Sequence, residues 1–90
     1  MKASLFTTSG CHLCEIALIE LKKLQKIGII ESIKEVEITK SDELIKKYGV
    51  SIPVVKIFEH ELYWPFELSD LEIWIKKIEV TQSQMQHPAC

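Results

Sequence analysis

Two cysteines three positions apart, Cys11 and Cys14, are the residues of this chain best suited to chemistry. They follow a short apolar run and a polar turn, and they open a stretch in which apolar residues recur with helical spacing. The free amides and the dipole of a helix start stabilise a thiolate, which is the species that attacks disulfides. We therefore predict dithiol exchange, in which Cys11 attacks and has a lowered pKa, and Cys14, one turn later, resolves the mixed disulfide.

Two other interpretations of the pair stay open. Half of a zinc site would need two further ligands, and none of the candidates forms a second Cys-x-x-Cys or a His-x-x-x-His pattern; they are His12, His60, His87 and Cys90. Ordinary buried cysteines are the second alternative, although the junction of a strand and a helix is a poor place to bury them. We expect His12 to be exposed and to lower the Cys11 pKa when it is protonated, with general-base action as the alternative role.

Composition limits the class of protein. Ninety residues with 47% hydrophobic content make one small domain with a single core. No apolar run approaches the roughly 20 residues that a membrane-spanning helix needs, and the N-terminus lacks the features of a signal peptide. Three cysteines, one of them terminal, do not make the disulfide framework of a secreted mini-protein. We expect a monomeric cytoplasmic protein that does not bind membranes.

The charged residues argue against nucleic acid as a partner. Lysines and acidic residues nearly balance, with a formal net charge of −2, and the chain has no arginine. The bidentate contacts that arginine makes with bases and phosphates are therefore missing. No basic cluster with interleaved aromatic residues occurs either.

Hydrophobic periodicity predicts seven elements in the order β-α-β-α-β-β-α. A helix between two strands indicates a right-handed parallel βαβ unit, and the last two strands read as a hairpin. With a Cys-x-x-Cys pair at the first helix start, this order is the minimal thioredoxin fold: α/β, with a four-stranded mixed sheet and three helices. The predicted strands are 3–7, 34–38, 52–58 and 62–64, and the predicted helices are 12–27, 41–48 and 68–78.

The third helix has two signals of a helix start, a Ser69–Glu72 capping box and a Leu68–Ile73 hydrophobic staple. After it, residues 80–90 offer little to bury, so we assign 1–79 to the domain and 80–90 to a flexible tail. Cys90 on that tail is expected to be incidental, with a further resolving thiol as the alternative. The predicted buried faces are Leu13, Ile16, Ala17, Leu18, Ile19, Leu21, Leu24 and Ile27 on the first helix, and Leu71, Trp74, Ile75 and Ile78 on the third.

Three segments together resemble the small glutaredoxin-like branch of the thioredoxin superfamily over about residues 3–78: 5–15, 48–55 and Trp64-Pro65-Phe66. The resemblance implies a thiol-disulfide oxidoreductase. It also implies a cis Pro53, although most X-Pro bonds are trans. In that geometry the Ser51-Ile52-Pro53 segment binds an extended substrate through the Ile52 backbone. Trp64, Pro65 and Phe66 are candidates for the rim of the site.

The same resemblance predicts that glutathione binds weakly. Glutaredoxins hold it with a cation before the motif, with the segment matched by Ser51-Ile52-Pro53, and with a Gly-Gly pair that leads into a helix start matched by Ser69 and Asp70. Here residues 7–10 contain no cation, and the glycine positions carry Phe66 and Glu67. Glycine would let a ligand approach the backbone closely, whereas a phenyl ring obstructs it and a carboxylate repels an anion. We expect protein thiols or disulfides as partners, with a reductase among the candidates, and no cofactor.

Two other functional classes remain as alternatives. One is a metal or iron–sulfur binding module, in which Cys11 of two protomers and external thiols complete a cluster. Relatives of that kind usually keep a single active-site cysteine, so Cys14 argues against it. The other is a redox-inert interaction module on the same fold.

Overall fold

The structure of the chain, a computed structural model, describes residues 1–85. It contains four strands and three α-helices in the order β-α-β-α-β-β-α, which confirms the predicted fold class. A 3₁₀ turn, Ile38–Lys40, precedes the second helix. None of the helices in the described residues is long and apolar enough to cross a bilayer. The elements are β1 (Lys2–Thr7), α1 (His12–Lys26), β2 (Ser32–Glu37), α2 (Asp42–Tyr48), β3 (Val54–Ile57), β4 (His60–Tyr63) and α3 (Leu68–Met85).

The four strands form one mixed sheet in the order β2-β1-β3-β4. β1 runs parallel to β2, from the pair Lys2–Ser32 to the pair Thr7–Glu37. The other two pairings, β1 with β3 and β3 with β4, are antiparallel. The parallel pair requires a crossover, which α1 provides, and the last pair is the predicted hairpin. The carboxyl ends of β1 and β2 therefore lie side by side, directly before the loop that carries Cys11.

Successive residues of the central strands are buried on opposite faces of the sheet. Leu5 and Val55 join the larger cluster, which includes buried residues of α1 and α3, whereas Phe6 and Val54 join a smaller cluster with Tyr48 of α2. This alternation is the two-residue period expected of strands buried on both faces. It places α1 and α3 on one face and α2 on the other.

The buried face of α1 is narrower than the sequence predicted. The fully buried positions are Cys14, Ala17, Leu21 and Leu24, which recur every three or four residues. Leu13, Ile19 and Ile27 were predicted to be buried, but they are exposed, Ile27 to 67%. The sheet covers one stripe of the helix, and Ile27 lies at its C-cap, beyond the last turn.

Both ends of α3 differ from the prediction. The helix begins at Leu68, and the Asp70 carboxylate accepts a hydrogen bond from the Glu67 amide at 2.8 Å, so the predicted Ser69–Glu72 capping box is wrong. Ile73 is exposed, which excludes the predicted staple. The helix then continues beyond Ile78 to Met85, because no glycine or proline interrupts it. The predicted tail thus begins as helix, and its residues 86–90, with His87 and Cys90, lie outside the described part of the chain.

The hairpin turns earlier than predicted. β4 begins at His60, so Phe58 and Glu59 make the turn, and Phe58 adopts a φ of 54°. A left-handed backbone is unusual for an aromatic residue and is normally taken by glycine or asparagine. Neither residue occurs in this turn, which explains why its position was not evident in the sequence.

Candidate redox site

Cys11 and Cys14 are joined by a disulfide bond, with their Cα atoms 5.2 Å apart. Cys11 is the N-cap of α1, and its Sγ accepts a hydrogen bond from the Cys14 amide at 3.2 Å. Cys14 lies inside the first turn and is only 2% exposed, whereas Cys11 is half-buried. An incoming sulfur therefore reaches Cys11 more easily than Cys14.

The sequence before the pair explains why Cys11 caps the helix. The Cys11 amide donates to the Thr8 carbonyl at 3.3 Å, closing a turn in which Gly10 has a φ of 78°. Glycine takes this left-handed conformation without steric cost. Cys11 itself is extended, at φ −85° and ψ 103°, which is the backbone of an N-cap. The turn thus directs the Cys11 sulfur toward the free amides of the helix start.

Glu37 is the site residue that the sequence analysis missed. One carboxylate oxygen accepts the Ser9 amide at 3.1 Å, and the other accepts the Thr39 amide and hydroxyl at 3.2 and 2.9 Å. Hydrogen bonds from the Thr8 side chain, and then from Thr39, lower the pKa of Glu37, so it is ionised at neutral pH. Its one sequence signal is its place at the end of a strand parallel to β1.

A cleft of about 290 Å³ lies beside the disulfide and is bounded on one side by Glu37. Both cysteines line it, together with three carboxylates, Glu15, Glu35 and Glu37. The described residues that line the cleft include no lysine. It therefore has an anionic wall, which disfavours anionic ligands. Its full lining is Thr7, Thr8, Ser9, Gly10, Cys11, Cys14, Glu15, Leu18, Glu35 and Glu37.

The Ile52–Pro53 peptide bond is cis, as the resemblance implied. Phe6 of β1 pairs with Val54 of β3, so the next position along this antiparallel pair sets the buried Pro53 beside Thr7. Thr7 is the last residue of β1, at the end of the strand that leads to Cys11. The Ile52 amide, however, already donates to the Tyr48 carbonyl at 3.1 Å. An extended substrate could therefore pair with Ile52 through its carbonyl, but it would have to open this turn to use the amide. Ser51 lies in the same turn, and its amide donates to the same carbonyl at 2.8 Å.

The predicted γ-glutamyl site is not brought into the same cleft as the disulfide. Ser69 and Asp70 are exposed in the first turn of α3, and the Asp70 carboxylate is engaged by the Glu67 amide. Asp70 lines a different cleft, of about 680 Å³, between α1 and the segment before α3. Neither cysteine lines this second cleft.

The aromatic segment before α3 packs on the core at Phe66 and Trp64, leaves Pro65 exposed, and does not line the cleft beside the disulfide. Phe66 is buried in the larger cluster, and the Trp64 ring packs edge-to-face on it with centroids 5.1 Å apart. The Trp64–Pro65 peptide is also cis, which the sequence analysis did not predict. Trp74, predicted to be core, packs against the same cluster. Phe66, which the resemblance matches to a glycine of glutaredoxins, thus has a buried ring.

His12 is exposed, as expected, with 83% of its side chain accessible. Its Nδ1 lies 3.6 Å from the Glu15 carboxylate, an ion pair when the histidine is protonated. Within residues 1–85, no group of three or more His, Cys, Asp or Glu side chains is arranged to hold a metal ion. The described part of the site thus consists of a disulfide, a helix start and several carboxylates.

The chain is similar to a known domain family and to several solved structures over most of its length. Residues 2–76 match the family model described as Glutaredoxin-like domain (DUF836). The X-ray structure of target protein XcR50 from X. campestris is similar, at 29% identity and a TM-score of 0.73, covering 83% of this chain and 96% of that chain. A structure described as a malarial protein has 27% identity, a TM-score of 0.63, and coverage of 84% and 93%. Thioredoxin 1 from Thermosipho africanus TCF52B shares the fold, at 21% identity, a TM-score of 0.63, and coverage of 96% and 99%. No curated protein matches the chain significantly.

Proposed function

The chain belongs to the glutaredoxin-like domain family, and from this premise we propose that it is an oxidoreductase that exchanges its Cys11–Cys14 dithiol with disulfides of other proteins. One observation carries the proposal. The disulfide joins a half-buried sulfur at the N-cap of α1 to a buried sulfur one turn later. This asymmetry is what separate attacking and resolving thiols require.

The exchange proceeds in two balanced steps. The Cys11 thiolate attacks one sulfur of the partner disulfide, which forms a mixed disulfide and releases the other partner sulfur as a thiolate that takes up a proton. Cys14, deprotonated in its turn, then attacks the Cys11 Sγ, which forms the internal disulfide and releases the second partner thiol. Two electrons and two protons pass to the partner. A second dithiol, from a reductase or another protein, returns the pair to the reduced state by the reverse sequence.

The chain contributes orientation and charge to these steps. The Cys14 amide donates to the Cys11 Sγ, and the α1 dipole has its positive end there. Both favour a thiolate at Cys11 in the reduced protein. The two cysteines span a single turn with Cα atoms 5.2 Å apart, so resolution is intramolecular and fast.

Three features of the site support a protein partner over glutathione. The cleft beside the disulfide has three carboxylates, which oppose an anionic tripeptide. Phe66 fills the position of a ligand-accommodating glycine, and its ring is buried in the core. Asp70, which would meet the γ-glutamyl end, holds its own helix start instead. A protein substrate can bind without the contacts that glutathione would need at these three places.

The proposal is tested by redox titration. The protein is equilibrated in glutathione buffers of graded ratio, quenched with acid and alkylated, and the Cys11–Cys14 state is followed by mass, in the wild type and in a Cys90→Ser background. We expect one reversible two-electron transition with few glutathione adducts. A pair that stays reduced in all buffers, or a purified protein that carries iron or zinc on these cysteines, would contradict the proposal.

A second measurement tests the choice of partner. We expect slow reduction of a glutathionylated peptide that does not saturate at millimolar glutathione, and faster reduction of a protein disulfide. Saturating turnover of the glutathionylated peptide, like that of an ordinary glutaredoxin, would show that glutathione is a physiological partner.

A further inference from the structure

Glu37 is a charged residue at the redox site that the exchange steps do not use. It ends β2 opposite Thr7, the last residue of β1, and so stands beside the loop that connects β1 to Cys11. Its carboxylate accepts the Ser9 amide on the loop side and the amide and hydroxyl of Thr39 on the other side. These hydrogen bonds on both sides hold the carboxylate beside the loop.

This arrangement has an electrostatic consequence for Cys11. Ser9 is two residues before Cys11, and Glu37 and Cys11 line the same cleft. The donors around Glu37 keep it ionised, so it adds a fixed negative charge to a cleft that Glu15 and Glu35 also line. A fixed negative charge opposes the thiolate of the reduced protein, whereas the disulfide carries no charge and is unaffected. The charge therefore favours the oxidised protein over the reduced one.

We propose that Glu37 is a positioning residue of the redox site, which anchors the loop before Cys11 and holds one negative charge beside it, so that the dithiol is a stronger reductant than its helix start alone would make it. The inference rests on the proposed dithiol exchange and concerns its direction. The helix start stabilises the Cys11 thiolate, as it does in strongly oxidising relatives of the fold, and Glu37 counters it.

The test is the equilibrium constant of the pair with the glutathione couple, measured at pH 8.5, where the thiolate is well populated, together with the pH dependence of Cys11 alkylation. Glu37→Gln keeps the size of the side chain and removes its charge. We expect its equilibrium to move about threefold, and no more than about tenfold, toward the reduced form, and Cys11 to be alkylated at lower pH.

Glu35→Gln is the matched control. Glu35 lies two residues earlier in β2 and lines the same cleft, but roughly 6–7 Å farther along the strand. Removing its charge should have less than half the effect. Glu37→Asp keeps the charge but withdraws it by one methylene from Ser9 and Thr39, so its equilibrium constant should lie between those of the wild type and Glu37→Gln.

The other outcomes would overturn the inference. Equal shifts for Glu37→Gln and Glu35→Gln would assign the effect to net charge without positioning. A Glu37→Gln protein with altered unfolding free energy but an unchanged equilibrium constant and alkylation profile would make Glu37 purely structural. A shift of Glu37→Asp as large as that of Glu37→Gln would exclude the charge as the cause. If the wild-type pair itself does not equilibrate with glutathione buffers, the proposed exchange is wrong. That result differs from the outcomes above, in which the wild type equilibrates and only the variants decide.

Discussion

Replacing the resolving cysteine should turn a transient mixed disulfide into a stable one. In Cys14→Ser, Cys11 keeps its place at the N-cap of α1, so attack on a partner disulfide still occurs. The second step has no internal thiol and must wait for one from solution. Well-oriented intramolecular reactions reach effective concentrations of about 10⁵ M or more. Even a far lower value of about 1 M, set against about 1 mM of external thiol, lengthens the life of the mixed disulfide on the order of 10³-fold.

The substitution also has a structural cost, which a second variant controls for. Cys14 is 2% exposed, so a serine hydroxyl there is buried and costs about 1–3 kcal/mol if it finds no partner. Cys14→Ala removes the thiol without burying a hydroxyl. Both variants should trap the partner equally if the missing thiol is the cause, whatever their difference in unfolding free energy.

The assay is incubation with a protein disulfide, followed by acid quenching and non-reducing electrophoresis with mass identification of the adduct. The adduct should contain Cys11, and Cys11→Ser should form none. A comparison of Cys14→Ser with Cys14→Ser/Cys90→Ser shows whether Cys90 resolves the adduct in place of Cys14. Rapid loss of the adduct from the double variant, or adducts formed equally well by Cys11→Ser, would refute the assignment of roles.

Two further predictions concern stability. The Tyr48 hydroxyl donates to Glu61, and this hydrogen bond is the main reason that the pKa of Glu61 is lowered from 4.5. The stabilisation by Glu61 is therefore complete above about pH 5 and is lost as the pH falls through the folded-state pKa. Chemical denaturation between pH 3 and 7 should show that the free energy of unfolding depends less on acid in Glu61→Gln than in the wild type, whereas Glu59→Gln should not differ from the wild type. Parallel curves for the two variants would contradict this. In the hairpin turn, Phe58 has a φ of 54° and a half-exposed ring, so Phe58→Asn should raise the free energy of unfolding by about 0.5–1 kcal/mol. A loss of stability in that variant would show that packing of the ring outweighs backbone strain.

In the proposed exchange, the acidic cleft and the helix start act on the same sulfur in opposite directions, and this opposition bears on the proposed role. A helix start alone favours an oxidant, because it stabilises the reduced form of the pair. Fixed carboxylates favour a reductant for the converse reason. The balance between the two is measurable in one titration, and it decides the direction in which electrons flow through the pair.

Much of the redox site follows from local sequence. The Thr8–Gly10 turn and the helical spacing after it place Cys11 at a helix start, because turn and helix signals act between residues only a few positions apart. The strand and helix order follows from periodicity in the same way. The cis Pro53 came from resemblance to a family, since local chemistry alone favours trans.

Other features were decided by the tertiary structure. The first turn of α3 begins at Leu68, where the Asp70 carboxylate accepts the Glu67 amide, whereas the sequence predicted a capping box of Ser69 and Glu72. Leu13, Ile19 and Ile27 have helical spacing but remain exposed, because the sheet covers only one stripe of α1. Periodicity shows that a face is apolar, whereas the width of the face that is buried depends on what packs against it.

Glu37 shows the same division most clearly. By sequence alone, Glu35 and Glu37 are two carboxylates of one alternating strand, and only the place of Glu37 nearer the strand end distinguishes them. The parallel register of β1 and β2 aligns Glu37 with Thr7, and this register is set by packing of residues far apart in the chain. The sequence by itself indicated the two cysteines that are proposed to react and the place where the helix after them begins. Only the tertiary structure decided which charge stands beside them, because that depends on the pairing of two strands separated by a whole helix.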